Sequence, residues 1–89
     1  MGRRPYLVLT RSGAIPVLRS VVVAPVTRTI RRIPTELRLG PEDGMPEECA
    51  ANFDDLRVVP KANLTDRVCT LGIQRMDDAC DALRTALDC

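Results

Sequence analysis

Seven residues, VVVAPVT at positions 21–27, limit what this chain can become more than any others. Three successive valines hold the backbone toward extended conformations, Pro25 is excluded from a helix interior, and the length is that of one strand. A run that is apolar at almost every position, rather than every second one, belongs to a strand covered on both faces. It passes directly into TRTIRR, residues 27–32, whose Arg28, Arg31 and Arg32 have no place in an apolar core. The chain therefore has to carry its most buried strand out of the interior and into its most basic loop.

The remaining elements follow from period. PYLVLT (5–10) is a second short apolar strand, and RSGAIPVLRS between the two contains Gly13 and Pro16 and reads as a loop with one turn. IPTELRL (33–39) alternates, which places Ile33, Thr35, Leu37 and Leu39 on one face and Pro34, Glu36 and Arg38 on the other. GPEDGMPEE (40–48) is turn chemistry. CAANF and LRVVP are weaker strands on either side of Asp54 and Asp55, and DRVCTL (66–71) reads as another. The end is helical: Ile73, Met76, Cys80, Leu83 and Leu87 recur at spacings of three and four, with Asp77, Asp78 and Asp81 early in the helix where its dipole favours acids. That stripe is expected to be core, Cys80 included. Short strands followed by one helix predict a small, mainly antiparallel barrel. Strict alternation carried through 26–31 sets Thr27, Thr29 and Arg31 on one face of the strand end, and Val26, Arg28 and Ile30 on the other.

A chain of 89 residues makes one domain. At that size only roughly 60 to 65% of the unfolded surface is buried, so a homodimer or a bound partner is a natural way to enlarge the core. No apolar run approaches the ~20 residues of a membrane helix, and the apolar stretch before Arg11 is shorter than the core of a signal peptide. A cytoplasmic protein is expected. Cys49, Cys69, Cys80 and Cys89 contain no CxxC pair and have no histidine to complete a zinc site, which predicts reduced thiols. The net charge of +1 conceals a division: residues 1–40 hold eight arginines against Glu36 alone, while residues 41–89 hold five bases against eleven acids. A basic face beside an acidic remainder suits a locally bound polyanion; an arginine-rich composition with merely solvated side chains remains the alternative.

The absence of histidine excludes an imidazole base, a Ser/His triad and histidine metal ligation. No glycine-rich phosphate loop is present, and two aromatics, Tyr6 and Phe53, are too few for a base-stacking platform. Arginine with hydroxyls remains, a combination suited to gripping a phosphodiester and stabilising charge on its oxygens. In RNA the nucleophile is already present as the 2′-OH, so such a site needs neither cofactor nor metal.

GRRPYLVLTR, then APVTRTIRRIPTELRL, the VVPKANLTDRVCTL run and the helix RMDDACDALRTALDC together resemble, in order from residue 2 to residue 89, the MazF/PemK toxins of bacterial toxin–antitoxin pairs. The resemblance implies a compact SH3-like barrel with a C-terminal helix, a homodimer, and metal-independent, sequence-selective cleavage of single-stranded RNA, neutralised by an antitoxin. By position, Arg4 of the R-P start and Thr27 of P-V-T match the family's catalytic pair. Arg3, Arg28, Thr29, Arg31 and Arg32 are the expected RNA-binding residues. Relative to family members the chain begins about one strand late, so residues 1–89 are expected to form a single domain without the usual first strand. Two alternatives stand beside this: an RNA-inactive module that only dimerises or binds antitoxin, and a gyrase-binding toxin of the CcdB kind.

Overall fold

The computed structural model describes residues 5–10, 13–64 and 67–87. Five strands and one helix follow in the order β1 (Tyr6–Val8), β2 (Ser20–Thr27), β3 (Glu36–Leu39), β4 (Cys49–Asn52), β5 (Arg57–Pro60) and α1 (Ile73–Leu87), with single 3-10 turns at Ile15–Val17, Pro41–Asp43, Phe53–Asp55 and Lys61–Asn63. The valine-rich segment is the hub. β2 pairs antiparallel with β1 through Leu7 opposite Ala24, with β5 through Val22 opposite Val58, and with β4 through Thr27 opposite Ala50; β4 in turn pairs with β3. The expectation that β2 is covered on both faces holds only in part, because Val22 remains 38% exposed. Val21, Val23 and Ala24 are fully buried.

The strands curve around a core without closing it: β1 and β3 are the ends of the strand order and do not pair with each other among the described residues. Leu37, Leu39, Cys49, Ala51 and Phe53 fill the concave side, and α1 packs over them. β3 is shorter than its alternating pattern. Pro34 and Thr35 form a turn closed by a hydrogen bond from the Glu36 N–H to the Ile33 carbonyl (3.2 Å), a position that proline's fixed φ favours.

Three expectations need correction. Residues 67–72 carry no regular structure, so the predicted strand at 66–71 does not form among the described residues. The helix is present, but its buried face is rotated: Ala79 and Ala82 are buried, whereas Ile73 is 86% and Leu87 55% exposed and Cys80 also lies outside. The 3-4 spacing marked the larger side chains, but a helix lies close to a sheet along its smallest ones, and alanine occupies that line. Alternation also stops at Thr27, because β2 ends there and residues 29–33 follow an irregular loop. Thr29 and Arg31 are therefore not placed by a strand face.

Candidate functional site

β2 ends at the rim of an open groove of about 1740 Å³, beyond the roughly 300–1,000 Å³ of small-molecule pockets and of a size for a polymer. Pro5 and Thr27 stand on one wall. The Val26 N–H donates to the Pro5 carbonyl (3.1 Å), bringing the residue that follows Arg4 in the chain beside the residue that precedes Thr27. Arg3 and Arg4 themselves lie outside the described residues. Arg28 and Arg31 also line the groove, whereas Thr29 and Arg32, expected with them, do not.

The Thr27 hydroxyl is held by its own loop. Thr29 donates its backbone N–H to Thr27 Oγ1 (3.2 Å), so the oxygen accepts locally, and its proton has no acceptor among the described residues. Arg28 pairs with Glu47 at 2.7 Å, but both side chains are more than half exposed. A pair of this kind contributes only about 0–1 kcal/mol, so an arriving phosphate can displace the carboxylate. Cys49 forms part of the groove wall, and burial, then the charges of Glu47, Cys69 and Asp43, push its thiol up from the ordinary value of 9.0. It stays protonated near neutral pH and is no nucleophile there. Asn52, whose Oδ1 accepts the Asp54 N–H (2.9 Å), serves its turn while facing the groove.

Reading from the sequence treated the second half as an acidic remainder and so missed three groove cations, Arg57, Lys61 and Arg67. The signal was available, because those three of the half's five bases cluster within eleven positions, with Asp66 the one acid among residues 57–67. Lys61 is also structural, its Nζ donating to the Ile15 carbonyl at 2.9 Å. Arg57 is held by Asp55 at 2.7 Å.

Among the described residues, an open five-stranded sheet backed by a C-terminal helix, with a threonine hydroxyl and arginines lining its large groove, defines a small β-domain with a basic groove. The chain belongs to the PemK-like, MazF-like toxin family of type II toxin–antitoxin systems, whose family model matches residues 1–87. It is 44% identical over 90 residues to the probable endoribonuclease MazF5 of Mycobacterium tuberculosis, covering 100% of this chain and 83% of that protein. The solved structure of the M. tuberculosis toxin MazF-mt6 superposes with a TM-score of 0.89 at 29% identity, covering 96% of this chain and 86% of the other. A mycobacterial endoribonuclease in complex with its cognate antitoxin superposes with a TM-score of 0.84 at 29% identity, covering 98% of this chain and 82% of that one.

Proposed function

We propose that this protein is the toxin of a toxin–antitoxin pair and an endoribonuclease that cuts single-stranded RNA in the cytoplasm. The observation that carries the reading is the position of Thr27, its hydroxyl proton without an acceptor among the described residues, at the rim of a groove lined by Arg28 and Arg31. The 2′-oxygen attacks the adjacent phosphorus, forming a P–O bond. The bond to the 5′-oxygen of the next nucleotide then breaks, and the 2′ proton passes to an acceptor while the leaving oxygen takes one up. Charge accumulates on the non-bridging oxygens during this step. Thr27 donates to one of them, and Arg4, the residue before Pro5, supplies the guanidinium that stabilises the other. Arg3, Arg28, Thr29, Arg31 and Arg32 grip the strand on either side of the cut, contributing affinity more than base choice. A cognate antitoxin occupies the groove in competition with RNA, and a homodimer enlarges the marginal core. The relatives named as endoribonucleases and the antitoxin complex favour this reading over an RNA-inactive module or a gyrase-binding toxin.

Incubating the purified protein with a long single-stranded RNA in EDTA tests it. Discrete cuts, leaving 5′-OH and 2′,3′-cyclic phosphate ends, are expected. Products with 5′-phosphate by mass spectrometry would exclude attack by the 2′-OH, and an uncut RNA would exclude the nuclease.

A further inference from the structure

Glu36 is the one acid among the first forty residues, set in the most basic part of the chain, and its charge opposes the function proposed for the loop before it. Its geometry explains its presence. One carboxylate oxygen, Oε1, accepts the backbone N–H of Arg31 (3.0 Å) and of Arg32 (2.9 Å). Arg32 is the one described non-glycine residue with positive φ, at 57°, a conformation that costs an L residue energy unless its surroundings hold it there. The residue doing the holding is itself rigidly placed. Glu36 opens β3 opposite Asn52, and its N–H closes the turn to Ile33. Next to it, Thr35 donates to Asp54 Oδ2 (2.5 Å) and accepts the Phe53 N–H at its carbonyl (3.0 Å), locking the turn to the 3-10 turn at Phe53–Asp55.

We infer that Glu36 is a positioning residue: it anchors the loop backbone at residues 31 and 32, and so aims the Arg31 guanidinium into the RNA groove. A carboxylate is suited to this because it accepts two N–H groups at one oxygen without donating, and charge-assisted bonds to backbone are stronger than neutral ones. The electrostatic loss is limited, since the carboxylate accepts two backbone amides and Glu36 is not among the residues that line the groove. The inference rests on the proposed RNA groove, but the anchor itself can be measured without RNA.

The experiment compares the wild type, Glu36→Ala and Glu36→Gln. Gln retains an oxygen acceptor in the same place and removes the charge. In E36A, the amide protons of Arg31 and Arg32 should lose hydrogen-exchange protection and shift upfield in 1H–15N spectra, and KM for an RNA substrate should rise about tenfold with little change in kcat. E36Q should recover most of both losses. A wholly structural role would lower the melting temperature and the active fraction without moving KM. A wholly electrostatic role would make both variants bind RNA more tightly than the wild type. Either result, or unprotected amides at Arg31 and Arg32 in the wild type, overturns the inference. If E36A does not fold, the wild-type amides and E36Q still decide it. Should the wild type cut no RNA, the amide data separate failure of the anchor from failure of the nuclease.

Discussion

Thr27 illustrates how much rests on one atom. As a strand residue it needs only a β-branched side chain opposite Ala50, which valine would supply equally well. As a donor it needs the hydroxyl, already accepting from the Thr29 N–H. Thr27→Val separates the two roles, since it keeps shape and strand preference while deleting the oxygen. The expected outcome is a fall in kcat of about 10² to 10³ with an unchanged melting temperature, the usual effect of losing one transition-state donor. A variant that cleaves at the wild-type rate would remove Thr27 from the chemistry. Wild-type kcat with raised KM would make it a binding residue.

The turn between β3 and β4 shows how elements are joined in a protein this small. Asp43 accepts the Gly40 N–H (3.0 Å) with one oxygen and the Arg75 Nε–H (2.9 Å) with the other, while Arg75 also donates to Asp78 (2.8 Å) and to the Arg38 carbonyl. One arginine of α1 therefore ties the helix to the sheet at the point where its apolar contact is thin alanine. Gly44 completes the turn at φ 95°, with no room for a side chain: a Cβ there would lie 2.8 Å from the Cys69 Cβ. Gly44→Ala combines an unfavourable conformation with a contact that must give way, and should cost more than about 1 kcal/mol. Chemical denaturation checks this; a loss below that, or a gain, would mean that residues 67–71 move aside freely.

In the folded molecule as a whole, the buried thiol of Cys49 links stability to alkaline pH. Burial first, and neighbouring negative charge after it, favour the neutral thiol in the fold, so its folded pKa lies above the unfolded one. The contribution is fully present below the unfolded value. It is lost as pH rises from about 9 through the higher folded value, because the unfolded chain ionises first. Unfolding free energies measured at pH 7.5 and 10 should fall more steeply for the wild type than for Cys49→Ala. Parallel falls would show that this thiol is not what makes the fold sensitive to base.

Local chemistry was enough to place most of the strands, the helix and the basic loop. Val21–Val23 with Pro25 admit little but a buried strand, the helix follows from its period, and Thr27 with Arg28 and Arg31 could be singled out before any fold was known. The chain order also carries the match to a toxin family. What local pattern could not supply was any quantity that depends on two distant segments meeting. The helix turns alanine rather than isoleucine and leucine to the sheet, because the closest approach is decided by the opposing surface and not by the helix's own period. Arg57, Lys61 and Arg67 join the basic groove across some thirty positions of chain. Glu36 changes from an exposed-face residue of an alternating strand to the anchor of a loop only once Pro34 has turned the backbone, because two amides and one carboxylate must converge in space for that role to exist.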